Sequence, residues 1–484
     1  MSPATPSPAS LSPAGEETAP ARLIHSLVAR AREAQRRIDG YSQEQIDLVV
    51  SALGWAVINP ANNRALATLA VEDTGLGNVE DKVIKNHRKT LGLLRDLHGK
   101  KTVGVIGEDP QRGIVDIARP VGVVAAVTPS TNPVATVINN IINAVKCRNA
   151  VIVAPSPKGA ASCARLLALI YPELDVLRVP RDLVQMLPAP VRREHTQLLM
   201  GAADLVIVTG SQANVRAATQ SGTPTFGVGV GNVATIISES ADLTAAARKI
   251  ADSKTFDNAT SCSAENSIII PSGRYRPMLD ALAAQGGVVL TAREKARLQR
   301  VLWPDGGGKL ARDRVGRSAL LLAEAAGLTR SACRSARFFI VEEEGVGERF
   351  PFSGEKLSPV LTAYRADDFH QACDRVRALY AWQGAGHSVG LHGTDPAEAL
   401  TAGLTLPVSR VIVNQAHSFA AGGNFDNGLP FTLTLGCGTW GKNHFSDNLN
   451  YRHFYNKVRI SRPIEENIPS LDRLFGDYLR RKGS

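Results

Sequence analysis

The sequence predicts an α/β protein built on parallel sheets covered by helices, and two observations carry that expectation. Short β-rich runs alternate with helical patterns along most of the chain, the arrangement that parallel sheets with crossover helices require. The length, 484 residues, allows two or three packed domains with substantial cores. One stretch breaks the alternation and predicts a small antiparallel piece instead.

The first twenty residues are rich in Pro, Ser and Ala and have neither a basic start nor an apolar centre. They are not a secretory signal and read as a disordered tail, with a microcompartment-targeting peptide as the alternative. A helical pattern follows at Leu23, Ile24, Leu27 and Val28. Ser42 and Gln45 then form a capping box for a helix carrying Ile46, Val49 and Val50. Thr102–Ala118 predicts two strands around the turn 108–113. Beyond it, strands are expected at Val121–Val127, Ala150–Ala154, Leu205–Thr209, Ala234–Ser238, Ser267–Ile270 and Arg410–Asn414. Helices are expected over 133–147, 158–170, 211–221, 241–253, 275–285 and 311–326.

Composition removes several function classes. With 44% hydrophobic and 21% charged residues, the chain is ordinary for a soluble globular protein. No apolar run reaches the length of a membrane span. The formal charge is +10 with aromatics at only 5%, dispersed basicity that does not point to nucleic acid and suits anionic small molecules. The six cysteines (147, 163, 262, 333, 373 and 437) show no metal-ligand spacing. They predict reduced thiols, no metal and a cytoplasmic setting.

The most informative segment is Thr255-Phe-Asp-Asn-Ala-Thr-Ser-Cys262-Ser-Ala-Glu-Asn266. It places a thiol among small polar residues just before an apolar run. A nucleophilic cysteine needs access, room for a tetrahedral adduct and N–H donors for the oxyanion, and this loop can supply them. Read alone, Cys262 is equally a small buried residue. A second element is the strand Leu205–Thr209, which ends at Gly210 and Ser211 and runs into a helix. Such a helix N-terminus offers free N–H groups to a pyrophosphate, although the usual glycine fingerprint is absent.

These stretches, with 120–157, 205–233, 350–365 and 414–443, resemble the coenzyme A-acylating branch of the aldehyde dehydrogenase superfamily over roughly residues 40–460. Within that branch the likeness is greatest to sulfoacetaldehyde-oxidising members. The resemblance implies an atypical Rossmann domain over 21–236 and a catalytic cysteine domain over 237–443. It also implies an oligomerisation arm formed by the hairpin near 101–119 and a strand within 444–484, serving a homodimer or homotetramer. Cys262 is then the nucleophile, and the oxyanion is held by its own N–H and an amide from Thr131 and Asn132. His417 assists proton transfer, or is a buried core histidine. Thr128, Pro129, Ser130, Ser156, Lys158, Thr209, Gly210, Ser211, Gly227 and Gly229 are implied around the dinucleotide. Glu355 is implied at the nicotinamide ribose, unless it is a surface glutamate pairing with Lys356. No acidic residue follows the strand at 151–153, which leans toward NADP over NAD.

Hydrolytic relatives carry a water-activating glutamate in the loop before the cysteine. Here that loop, Phe226–Gly231, has no acid or base, so release by a coenzyme A thiol is expected. Glu265 is read as structural. A sulfonate needs fixed positive charge, for which Lys442, His444 and Arg452 are the candidates. Acetaldehyde or another short aldehyde is the runner-up substrate, and a non-catalytic scaffold of the same fold is the alternative of another class.

Overall fold

The computed structural model describes residues 18–306 and 309–483. The expected tail therefore falls outside the described residues up to position 17. Thr18 already caps a helix, Ala19–Ile38, accepting from the Ala21 N–H.

Two parallel sheets and one antiparallel sheet form the frame. The first sheet has the order Val184–Met186, Ala150–Pro155, Val123–Thr128, Leu205–Thr209 and Thr225–Val228, all parallel. Its central strands are buried along their whole length. Val124, Ile152 and Val206 share one core with Ile138 and Ile141 of the helix Ala135–Lys146 and with Leu27 and Leu53 of the N-terminal helices. The chain moves outward from Val123–Thr128 through two strands, then returns to add Leu205–Thr209 on the other side. That reversal leaves a crevice beyond the carboxyl ends of these two strands, where open α/β sheets bind ligands.

The second sheet has seven parallel strands, in the order Gly287–Val289, Phe338–Glu342, Val360–Ala366, Glu265–Pro271, Val233–Ile237, Val389–His392 and Val411–Val413. Val233–Ile237 belongs wholly to this sheet, pairing with Glu265–Pro271 and Val389–His392. The break between the two sheets therefore lies at 229–232, a few residues before the boundary drawn from the sequence. Phe431, Phe445 and Phe454 then return to the first core.

The expected hairpin is present as Gly104–Asp109 and Ile114–Pro120. Its second strand also pairs antiparallel with Tyr455–Ser461 over seven residues, Ile114 to Pro120, and so becomes the middle strand of the sheet. The capping box at Ser42 and Gln45 is formed as read. Two expectations need correction. The helix expected over 311–326 is confined to Ala319–Ala325. Gly316, at φ +64°, turns the chain there and bonds to both Gly77 and Leu357. The glycine-rich segment 227–231 is loop only in its second half, because Thr225–Val228 is an edge strand.

Candidate active site

Cys262 lies in a turn between the short helix Phe256–Ala259 and the strand Glu265–Pro271. Asp257, Asn258 and Ala259 all have left-handed backbones, with φ of 50°, 52° and 56°, conformations that cost energy in non-glycine residues. The buried Asp257 carboxylate holds this strained run in place. It accepts from the ammonium groups of Lys82 at 3.1 Å and Lys85, from the Thr260 hydroxyl at 2.7 Å and from the Asn78 N–H at 3.1 Å. Gly77 allows the approach, since a Cβ there would lie 1.7 Å from Asp257 Oδ1.

The half-buried thiol faces a histidine: Cys262 Sγ is 3.5 Å from His387 Nε2. His387 Nδ1 lies 2.7 Å from Ser388 Oγ, and Ser388 Oγ lies 2.8 Å from His417 Nε2. Burial, with Arg410 nearby, pulls His387 down to about 3, so its imidazole is neutral. Burial pushes the Cys262 thiol up to about 12, and Glu355 and Cys437 add to the rise. The resting sulfur is thus a protonated thiol beside a neutral base.

Asn132 lines the same cavity as Cys262. Its Oδ1 accepts from Lys85 Nζ at 2.9 Å. Lysine can only donate, so this bond fixes the amide with its oxygen toward Lys85 and leaves the NH2 group for an oxyanion. Thr131 lines the cavity too, 3.4 Å from Asn132 Nδ2 through its hydroxyl. The cavity, of about 320 Å³, is closed by Phe256, Ser418, Gly422, Thr432, Leu433 and Leu435.

A groove of about 760 Å³ shares Pro129, Thr131, Thr209, Gly210, Ser211 and Leu357 with this cavity. It occupies the crevice of the first sheet and takes in Thr128, Ser130, Ser156 and Lys158. Ser211 caps the helix Gln212–Gln220, accepting from Asn214 N–H. The preceding amides of that helix keep the free donors suited to a phosphate. These residues fit a dinucleotide: a helix N-terminus at one end, cations at the other and an opening to Cys262.

Gly229 lines the cavity, but Gly227 does not. It lies within the edge strand, where a Cβ would meet Val215 at 3.0 Å. The loop from Gly229 to Gly231 carries no carboxylate, and a Cβ on Gly231 would lie 2.4 Å from the Cys262 carbonyl oxygen. Glu355 is the carboxyl group in the cavity wall. Its Oε1 accepts from the Gly231 N–H at 3.2 Å, and burial pushes it up to about 8. It does not pair with Lys356, whose ammonium donates to the Phe352 and Gly354 carbonyls.

Besides Gly227, four residues expected at the site stand elsewhere. His417 is buried behind Ser388, so the histidine at the sulfur is His387, which sequence reasoning missed. Lys442 and His444 are exposed on a loop where His444 stacks on Phe226 at 4.8 Å. Arg452 is exposed against its neighbour Tyr451. Lys442, His444 and Arg452 lie outside the cavity wall, because the turn 438–443 folds back on itself through Asn443, with Gly438 as partner. Lys85, Arg88 and Lys89 line the cavity instead, and nothing in the sequence beyond an i, i+3, i+4 spacing marked them. Glu265 is structural as read: it is fully buried and accepts from the His417 N–H.

Among the described residues no group of His, Cys, Asp and Glu is placed to hold a metal ion, and no helix is long and apolar enough to cross a membrane.

The chain is 60% identical, over 99% of its length and 97% of the other's, to a sulfoacetaldehyde dehydrogenase (acylating) of Cupriavidus necator. It superposes with a TM-score of 0.88 on an acetylating aldehyde dehydrogenase from Geobacillus thermoglucosidasius, at 33% identity over 93% of this chain and 98% of that one. A propionaldehyde dehydrogenase from Rhodopseudomonas palustris, solved with bound CoA and an acylated cysteine, matches with a TM-score of 0.79 and 25% identity, over 91% of this chain and 97% of that one. The pattern of the aldehyde dehydrogenase family matches residues 7–289, and the chain belongs to that family.

Proposed function

We propose that the protein is a CoA-acylating aldehyde dehydrogenase, interconverting sulfoacetaldehyde, CoA and NAD(P)+ with sulfoacetyl-CoA and NAD(P)H. The observation that carries the reading is the pairing of Cys262 with His387 at a cavity that opens onto the dinucleotide groove. The names of the Cupriavidus and Geobacillus relatives, and the acylated cysteine of the Rhodopseudomonas enzyme, support it.

His387 Nε2 takes the thiol proton as Cys262 sulfur bonds to the aldehyde carbon. The oxyanion is met by the Asn132 amide, set in place by Lys85, and by the Cys262 N–H. The nicotinamide, when bound, supplies the hydride acceptor. Loss of hydride leaves a thioester on Cys262. His387 releases that proton to solvent and then accepts the proton of the CoA thiol, whose sulfur takes the acyl group, and the expelled Cys262 sulfur takes the proton back from His387. No carboxylate in the 229–231 loop serves a competing water. Glu355 stays close through Gly231 and is held mostly protonated near neutral pH.

NADP is preferred. Among the described residues the groove wall has no Asp or Glu, and it includes Lys158, Arg192, Arg193 and Arg312, a setting for a 2′-phosphate. The antiparallel sheet, with Val458 and Ile460 exposed, serves a homodimer or homotetramer. Retention of Cys262, Asn132 and Glu355 around one cavity speaks against a non-catalytic scaffold.

The test is a substrate panel. Sulfoacetaldehyde should outperform acetaldehyde in CoA-dependent NADPH formation. Without CoA, reduced cofactor should stop at a burst of about one equivalent per site. Sustained turnover to free acid at a comparable rate would rule out the acylating chemistry, and preference for acetaldehyde would favour a short neutral aldehyde.

A further inference from the structure

The helix Val79–Leu97 turns Lys85, Arg88 and Lys89 toward one side, the spacing of neighbours on a helix face, and all three line the cavity that holds Cys262. Their surroundings differ. Lys85 shares the Asp257 carboxylate with Lys82. Lys89 is only 8% exposed and donates to main-chain carbonyls alone, Gly422 at 2.7 Å and Gly423 at 3.4 Å. Arg88 is half-buried, donates to the Asn424 side-chain oxygen and lies 4.6 Å over the Phe419 ring. Among the described residues neither Arg88 nor Lys89 has a carboxylate within ion-pair distance.

Buried cations without counter-ions are costly, and here the cost falls on the wall of a reaction cavity. Burial is the main cause that pulls Lys89 down to about 7, with Arg88 and Lys85 adding to it against Asp96, and an anion seated beside Lys89 favours its charged form. The remaining wall is largely apolar, including Phe256, Leu433 and Leu435. At about 320 Å³ the space is at the small end of ligand sites. It suits a two-carbon sulfonate better than the nucleotide part of CoA.

We propose that Arg88 and Lys89 bind the anionic end of the aldehyde and are the residues that select a sulfonate over a neutral substrate. This rests on the acylating reading, with Cys262 attacking the carbonyl. In sulfoacetaldehyde one methylene separates the sulfonate from that carbonyl, so the cations must share the cavity of the nucleophile, and they do. The two supply complementary recognition: Arg88 a planar fork for two sulfonate oxygens, Lys89 a point charge for the third.

The experiment compares Arg88→Gln, Arg88→Lys and Lys89→Met with the unaltered protein on sulfoacetaldehyde and on acetaldehyde, at varied CoA. Arg88→Gln should lower kcat/KM for sulfoacetaldehyde roughly ten- to a hundred-fold more than for acetaldehyde, and Arg88→Lys should recover part of it. The KM for CoA should stay the same. Equal losses on both aldehydes, or a loss confined to the KM for CoA, would overturn the proposal.

Calorimetry with ethanesulfonate reads the same site without turnover and on the unaltered protein, whether or not Lys89→Met folds. Binding should be at least about tenfold tighter than that of neutral ethyl methyl sulfone, and Arg88→Gln should remove the difference. If the unaltered protein oxidises aldehydes but does not bind ethanesulfonate, the anion site is refuted and the acylating reading stands. If it binds ethanesulfonate through Arg88 but never turns over, the acylating reading fails and the anion site stands.

Discussion

The Cys262 sulfur and His387 Nε2 meet at 3.5 Å although 125 positions separate them in the chain. The thiol and its proposed base come from different strand ends of the seven-stranded sheet. Ser388 links His387 onward to His417, so three side chains share hydrogen bonds behind the sulfur. Only His387 touches it.

Replacing His387 with Gln should cut turnover roughly a hundred- to ten-thousand-fold, the range of a lost general base. His417→Gln should cost much less, because His417 reaches the sulfur only through two other side chains. Steady-state rates of the two variants check the order, and a larger loss in His417→Gln would reverse the assignment.

Alkylation by iodoacetamide should depend steeply on pH. The Cys262 pKa is raised to about 12, so in the free protein the reactive thiolate increases with each unit of pH. Labelling of Cys262 should keep accelerating through pH 10. A plateau near pH 8 would contradict this. The Cys262→Ser variant should lose both this labelling and hydride transfer, with its melting temperature nearly unchanged.

Asp257→Ala should destabilise the protein by roughly 3–5 kcal/mol, because it leaves the buried ammonium groups of Lys82 and Lys85 unpaired. It also frees the left-handed run 257–259 from its anchor. The melting temperature reads the first effect, and the activity that survives in the folded fraction reads the second.

Glu355 makes a signed prediction about pH. Its folded pKa is raised to about 8 from an ordinary 4.5. Between these values the folded state binds more protons than the unfolded one. Its contribution is therefore present at low pH and is lost as pH rises through about 8. Glu355→Gln should lose less stability than the parent between pH 5 and pH 8, as measured by melting temperature. A steeper loss in the variant would contradict the raised pKa.

Much of the frame was legible because buried parallel strands write themselves as apolar runs. Val123–Thr128, Ala150–Pro155 and Leu205–Thr209 all fall where such runs predict them. The motifs that point to Cys262, Asn132, Gly210 and Glu355 mark residues that line one cavity. The missing pieces are those with no local signature. Thr225–Val228 hides as a strand because its glycine serves close packing against Val215. His387 follows Gly384 and Gly386, at φ 92° and 85°, two glycines that bend the chain. Nothing within that segment names its partner, which arrives only when Val389–His392 pairs beside Val233–Ile237. Arg88 and Lys89 looked like any charged helix face, since a cation's burial depends on residues far along the chain. The opposite error, at Lys442, His444 and Arg452, came from trusting a local cluster of charge that the fold turns outward.

The pairing of Ile114–Pro120 with Tyr455–Ser461 sets a timetable for assembly. Asp116 and Arg459, joined at 2.8 Å, are 343 positions apart. As the chain leaves the ribosome, the hairpin completes early and then waits, its outer edge unpaired, until nearly all the remaining sequence has been made. An open edge of this kind recruits other strands. For that interval the edge of Ile114–Pro120 stays open, until Tyr455–Ser461 arrives to pair along it.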